Sequence, residues 1–425
     1  MIESDALRLR TVGADDAEAL VPAMVRMLAN AYPVMRLNDA DALDAFTARL
    51  RAGIGDTGTS TVVAEYDGEL AGVMRLYDFT MNVRGADALT GGVGSVAVGM
   101  PYKKRGIARA MIAWYLQAYR QRGAPFAALF PFRLDFYRAL GFGYGAPVYR
   151  YAFVPATLRP SSGSERVRLL GEADVDALGA CYERIRIATH GLMTRPPQTF
   201  SRALRDPQLQ LAGVERDGVL RGFLQMSVQL PSDGSLRNRD VLVVRDLLAE
   251  DASALAGLVR FLRSQGDQFA RITIESGDPA LFLASEDPRD GSDVAVSPPA
   301  AHRYAEAGLG VMYRIIDIDA ALACVPPARD AFALRIDVRD DVVPALAGTR
   351  TVRFGDGTRS RRDDAARPDA TLGIGIADLS SVVMGSLRLR DVVAHGLATL
   401  EPPSRLPIVD AAFRADAPPQ CATRF

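Results

Sequence analysis

Apolar and polar residues alternate in Leu7-Arg8-Leu9-Arg10, the two-residue period of a strand with one buried face. Over residues 14–29 the apolar spacing lengthens to three and four, which predicts a helix. Residues 61–66 and 69–78 read as strands joined by Asp67-Gly68, a pair that accepts the positive φ angles of a tight hairpin turn. Residues 94–98 predict a further strand, followed by Pro101, a basic loop and a helix over 106–120. Ile107, Met111, Trp114, Tyr115 and Ala118 fall on one face of that helix, and Gly123 stops it. A short buried strand over 127–130, a helical turn over 135–140 and an alternating strand over 148–153 complete a mixed α/β pattern with strand, loop and helix at its centre.

A stretch rich in Pro, Ser and Gly, 155–165, reads as a linker. Beyond it the order partly repeats, with a strand over 166–169, a helix over 174–187, strands over 210–215, 222–228 and 240–246, a helix over 252–264 and a strand over 271–275. Where the first copy has its basic glycine loop, the second has Asp246-Leu247-Leu248-Ala249-Glu250-Asp251, and acids at a helix start repel phosphate. The second copy therefore reads as degenerate. From residue 313 the texture changes to strands over 332–338, 350–354 and 370–376 and helices over 377–385, 387–396 and 408–414. The expected fold class is α/β (α+β): two related units with mixed central sheets, residues 1–154 and 155–312, then an α+β unit, residues 313–425.

The 425 residues are 48% hydrophobic, enough for more than one core. A net charge of −1 supplies no global field for nucleic acid or a membrane surface. No apolar run reaches the roughly 18–20 residues of a membrane helix, and residues 1–10 carry charges where a signal peptide is apolar. A cytoplasmic protein is expected, with no nucleic-acid or membrane partner. The three cysteines and three histidines are isolated, without metal-ligand spacing and without a G-x-S-x-G elbow, so neither a metal nor hydrolase chemistry is expected.

Lysine occurs only at Lys103 and Lys104; every other basic side chain is arginine. The strand Val96-Ala97-Val98 leads into Lys103-Lys104-Arg105-Gly106, and the helix opens at Ile107-Ala108. Such a loop aims unpaired backbone N–H groups and the positive end of the helix dipole at one point, beside mobile cationic side chains, which fits a pyrophosphate. It is neither a Walker loop nor a dinucleotide fingerprint, because G-x-x-x-x-G-K and G-x-G-x-x-G are both missing. Taken alone, a solvated basic turn capping a helix explains it equally.

Lys103-Lys104-Arg105-Gly106-Ile107-Ala108 resembles the [QR]-x-x-G-x-[GA] coenzyme A loop of the GCN5-related N-acetyltransferase (GNAT) superfamily, with lysine at the first position. Tyr137-Arg138-Ala139-Leu140-Gly141-Phe142 resembles that family's late tyrosine segment. The chain as a whole is similar to the enhanced intracellular survival (Eis) acetyltransferases, which carry an active GNAT domain, a degenerate second one and a sterol-carrier-protein-like third. Pro368-Asp369-Ala370, Asp378-Leu379 and a Pro-x-Cys ending that closes on Phe425 add to this likeness. The resemblance implies acetyl-CoA as co-substrate, bound by Val96, Ala97, Val98, Lys103, Lys104, Arg105, Gly106, Ile107 and Ala108. It further implies Tyr137 as general acid, the terminal carboxylate of Phe425 as general base, a small-molecule (aminoglycoside-like) or lysine amine as acceptor, and a homohexamer. The competing class is an acyl-CoA- or lipid-binding protein without acetyltransferase activity.

Overall fold

The structure is a computed structural model that describes residues 6–33, 39–160, 165–229, 240–290, 295–297, 301–355 and 357–425. Residues 161–164 of the expected linker lie outside the described residues. The first elements are β1 (Leu7–Thr11), α1 (Ala17–Ala31), α2 (Ala40–Ala52), β2 (Thr59–Tyr66), β3 (Glu69–Val83), β4 (Ala86–Val98), α3 (Ile107–Gln121), β5 (Phe126–Leu129), α4 (Leu134–Arg138) and β6 (Gly143–Tyr144). Next come β7 (Pro147–Phe153), β8 (Arg166–Leu169), α5 (Val175–Ala188), α6 (Pro197–Arg205), β9 (Gln210–Arg216), β10 (Val219–Gln229), β11 (Val241–Ala249), α7 (Ala252–Arg263), β12 (Arg271–Ser276), β13 (Ala295–Ser297), β14 (Ala301–His302) and β15 (Ala305–Leu309). The chain ends with β16 (Met312–Ile315), α8 (Ile318–Ala323), β17 (Phe332–Arg339), β18 (Gly348–Phe354), β19 (Arg361–Arg362), β20 (Ala370–Gly375), α9 (Ile376–Val383), α10 (Leu389–Ala394), β21 (Ala398–Glu401) and α11 (Leu406–Phe413).

These elements form two compact units, the first made of Met1–Gly145, Val311–Asp416 and Phe425, the second of Ala146–Gly310 and Ala417–Arg424. The main sheet of the first runs β1-β2-β3-β4-β5-β16-β6. Its one parallel pair joins β4 to β5, from Thr90 opposite Phe126 to Val93 opposite Leu129. Past Val93, β4 continues to Val98 on β3 alone, and a bulge near Ser95, at φ 51°, bends it there. The two strands therefore part. Helix α3 fills the root of the gap, its buried face being Ile107, Met111, Ile112, Tyr115, Leu116 and Tyr119. Trp114 and Ala118, expected on that face, lie half-buried at its shoulder instead. The Tyr115 hydroxyl donates to the Gly91 carbonyl at 2.5 Å and accepts from the Ala128 N–H at 3.1 Å, so both diverging strands are tied to one buried side chain.

Strand β4 begins at Ala86, well before the expected residue 94. Glycines 91, 92 and 94 each lie where a ring or the chain end comes close. A Cβ on Gly91 would sit 2.5 Å from the Tyr119 ring, and one on Gly92 would sit 2.5 Å from Phe79. Close approach outweighs propensity here.

The rest of the first unit is a sheet of order β19-β18-β17-β20-β21 with α8 to α11. Every residue of α9 is buried, and it packs on β6 and β16. Arg314, on β16, is wholly buried; it donates to the Leu140 carbonyl at 2.5 Å and to Asp340 at 2.6 Å. A buried guanidinium persists only when paired in this way. Gly141, at φ 84°, leaves the necessary room, since a Cβ there would lie 1.4 Å from the Arg314 Nη1.

The sheet of the second unit, β15-β7-β12-β11-β10-β9-β8, repeats the plan of the first. Its parallel pair joins β11 to β12 and ends at Val244 opposite Ile274, and β11 also carries a bulge just beyond. Strand β7 follows β6 in sequence but pairs with β12 and β15 here, while β16 lies between β5 and β6 in the first sheet. Helices α2 and α6 lie outside the expected elements, and each buries a single side chain, Leu50 and Phe200.

Candidate functional site

Where β4 runs out, a single 3-10 turn, Met100–Tyr102, leads to Lys103. Lys104 (φ 62°) and Gly106 (φ 78°) are both left-handed, and Gly106 stands at the helix cap with no side-chain cap of its own. Successive amides near such reversals converge into an anion-binding concavity, and the first-turn N–H groups of α3 have no acceptor within the helix. Lys103, Lys104, Arg105 and Gly106 are exposed, Ile107 is buried beneath them and Ala108 half-buried. The Arg105 guanidinium lies over the Tyr66 ring at 5.3 Å, which keeps it beside the loop. The arrangement can neutralise a pyrophosphate with backbone dipoles and three cations.

On the same strand, Ala97 is buried in the core while Val96 and Val98 are half-buried. The Val96 carbonyl accepts from the Tyr32 hydroxyl at 3.0 Å, so α1 reaches the parted segment directly. Burial raises the Tyr32 phenol, the hydrogen bond to Val96 opposes that rise, and the neighbouring Tyr77 adds to it. Among the described residues a cavity of about 320 Å³ opens beside this turn, lined by α1, the start of β3 and Val98 to Lys103.

Phe425 belongs to this unit. Its ring packs on Phe79, Phe130 and Tyr77, with centroids 5.0, 5.2 and 5.6 Å away. The chain terminus lies on Gly94: a Cβ there would meet the terminal carbon at 2.9 Å and its oxygen at 3.0 Å. The backbone carbonyl of Phe425 thus rests where β4 leaves β5, two residues before Val96. Offset aromatic contacts of this kind fix the ring, and with it the terminus.

Tyr137 sits on α4 and is 3% exposed. Phe132, Phe136 and Phe142 surround its ring at 5.6, 5.1 and 5.9 Å, all edge-on. Burial, and after it the nearby Tyr32, pushes the phenol well above the usual tyrosine range, so it holds its proton throughout the physiological range. An ion pair and a hydrogen bond fix the turn that carries it: Arg138 donates to Asp378 at 2.6 Å, and Arg314 donates to the Leu140 carbonyl. Tyr32 donates to Val96, and Tyr77 touches Phe425. The loop, the tyrosine and the terminus, scattered over the sequence, thus share one end of one sheet.

Tyr32, Tyr77, Phe79 and Phe130 were not legible as site residues, because an aromatic residue in a strand or helix reads as core. The acids Asp16 and Glu18 are engaged with Arg10 at 2.6 Å and Arg51 at 3.4 Å. Among the described residues no group of three or more His, Cys, Asp or Glu side chains is placed to hold a metal ion.

Comparison with known proteins gives three domain matches: an acetyltransferase (GNAT) domain over residues 15–145, a second acetyltransferase (GNAT) domain over 191–315, and a sterol carrier protein domain over 318–422. An uncharacterised N-acetyltransferase of Streptomyces coelicolor is 28% identical over 356 residues, covering 79% of this chain and 81% of that protein. The crystal structure of a GCN5-related N-acetyltransferase from Kribbella flavida superposes with a TM-score of 0.76 at 23% identity, covering 99% of this chain and 98% of that one. Eis1 from Mycobacterium abscessus superposes with a TM-score of 0.75 at 21% identity, covering 99% and 100%. At these identities the two structures speak for the shared fold.

Proposed function

We propose that this chain, a GNAT-type N-acetyltransferase with a sterol-carrier-protein-like C-terminal domain, uses acetyl-CoA to acetylate a primary amine by direct attack, as a member of the Eis branch. The observation that carries the reading is the backbone end of Phe425 packed on Gly94, on the parted strand that leads to the Lys103–Ala108 loop.

Acetyl-CoA supplies the activated thioester. Lys103, Lys104, Arg105 and the amides around Gly106, Ile107 and Ala108 hold its pyrophosphate. Backbone groups of Val96, Ala97 and Val98, free of β5, direct the pantetheine arm and the thioester carbonyl along β4. The Phe425 carboxylate accepts the proton that the amine nitrogen sheds on forming its bond to the carbonyl carbon. It is a weak base, with a reference pKa of about 3.3–3.7, so position rather than basicity is its asset. As the carbon–sulfur bond breaks, Tyr137 gives its proton to the departing sulfur. A phenol raised by burial donates only to a charge nearly fully formed; the same burial raises the basicity of the thiolate, which narrows the gap.

The amine is a lysine-type side chain or an aminoglycoside-like small molecule, and the assembly is a homohexamer in the cytoplasm; the family resemblance supports all three. Calorimetric binding of acetyl-CoA, thiol release over an amine panel and light scattering test the reading. Acetyl-CoA binding with no release against any amine would leave only an acyl-CoA-binding protein.

A further inference from the structure

The eight residues Ala417–Arg424 belong to the second unit, where a dense set of contacts holds them. The Gln420 N–H donates to the His190 carbonyl at 2.8 Å. Its backbone passes so close to Gly191, at φ 92°, that a Cβ there would lie 2.6 Å from Gln420, and its side chain lies over Gly277. The Ala422 carbonyl accepts from Arg195. Arg195 also donates twice to Asp246, at 2.7 and 3.1 Å, with only 6% and 11% of the two side chains exposed, and stacks on Tyr182 at 4.6 Å. Thr423, itself buried, donates to the Met193 carbonyl at 3.2 Å and lies 3.1 Å from the Tyr182 hydroxyl. Arg424 closes the run on Glu275.

Asp246 lies on β11 and Glu275 on β12, both past Val244 and Ile274, where those strands stop pairing. The tail therefore occupies the gap between the parted strands of the second copy. In the first copy, the corresponding gap is where the acyl donor is read to bind. An ion pair this buried needs its remaining hydrogen-bonding capacity satisfied, and the tail carbonyl does so.

We propose that the second domain is a receptor for the chain's own C-terminal tail, with Arg195 and Asp246 as positioning residues that set where the carboxylate one peptide bond beyond Arg424 is held. This rests on Phe425 acting as the base. It also gives the acids of the second copy a use that excludes phosphate.

The test follows release of Phe425 by a carboxypeptidase with aromatic preference, alongside kcat for amine acetylation and acetyl-CoA affinity, in the full chain. Arg195→Met and Asp246→Asn should each speed release at least tenfold and lower kcat about as much, with acetyl-CoA affinity within twofold. Thr423→Val, which leaves the Arg195–Asp246 pair intact, should do the same more weakly and decides the matter if the buried variants unfold. Glu275→Arg should speed release a few-fold, and adding Arg424→Glu should restore the parent rate. Unchanged release in folded variants overturns the receptor. Faster release with undiminished kcat keeps the receptor and instead removes Phe425 from catalysis.

Discussion

The turn after β4 and the turn after β11 are built on the same plan and carry opposite chemistry. Each follows a strand that has just left its parallel neighbour, and each opens a helix. At α3 the cap is Gly106, left-handed and without a side chain, flanked by three cations. At α7 the cap is Asp251, whose carboxylate accepts the Ala254 N–H at 2.9 Å and pairs with Arg216 at 2.5 Å. Glu250 beside it is held by Arg184 and Arg221. One helix start leaves its donors open to an outside anion; the other has filled the place from within. Downstream the copies differ again, since α4 carries Tyr137 while the turn Leu281–Ala284 after β12 carries Phe282 and no tyrosine. Loss of a ligand site here means satisfaction of its donors, with the fold retained.

The sharpest way to break the contrast is at the chain end. One residue added after Phe425 turns the carboxylate into a neutral amide while the phenyl anchor stays, and turnover should fall at least about 100-fold, within the range of acid–base catalysis, with acetyl-CoA affinity unchanged by calorimetry. Parent turnover in the extended protein would assign the base elsewhere.

Tyr137→Phe should lower kcat about 100-fold and leave acetyl-CoA affinity within a few-fold, because the hydroxyl is needed only as sulfur departs. The sign of the pH dependence follows from burial: a phenol raised above its usual range keeps its proton, so kcat should show no alkaline loss due to Tyr137 below about pH 10. A fall in kcat near pH 8 that vanishes in Tyr137→Phe would contradict this.

Gly106→Asp transplants the acidic cap of α7 onto α3. Acetyl-CoA affinity should drop about tenfold or more, since the new carboxylate competes for the same amides and repels phosphate. Lys103→Ala with Arg105→Ala should act in the same direction. Unaltered affinity would return the loop to a solvated turn.

The smallest effect is expected from Asp251→Ala, which removes a helix cap worth about 1 kcal/mol. Thermal denaturation should register that loss, and acetyl-CoA binding should be untouched. Weakened binding would mean that the second copy also takes the ligand.

The two-residue and three-to-four-residue periods located most strands and the long helices, because burial of one face dictates them wherever a segment packs on a single layer. The Lys103–Ala108 loop was legible too, as backbone donors at a helix start depend only on local chain geometry. The stretch of β4 before residue 94, with Gly91 and Gly92, escaped the same rules, since what those glycines accommodate is a ring distant in sequence. Ranking Phe425 beside Tyr137 as a site residue rested on family likeness, because nothing local distinguishes a terminal phenylalanine from a frayed end.

By itself, then, the sequence determined the repeated strand–loop–helix plan, the contrast between its basic and acidic turns and the change of texture at the third unit. All of these follow from short-range periodicity and charge. Tertiary structure alone decided that β7 joins the second sheet and β16 the first, that Tyr32 reaches Val96, and that Asp246 of the second copy pairs with Arg195, which also holds the tail carbonyl of Ala422. The other acids of that turn, Glu250 and Asp251, are held by Arg184, Arg221 and Arg216, none of them in the tail. Those outcomes depend on which distant surfaces bury each other and which donors remain to be satisfied, and no window of neighbouring residues contains that information.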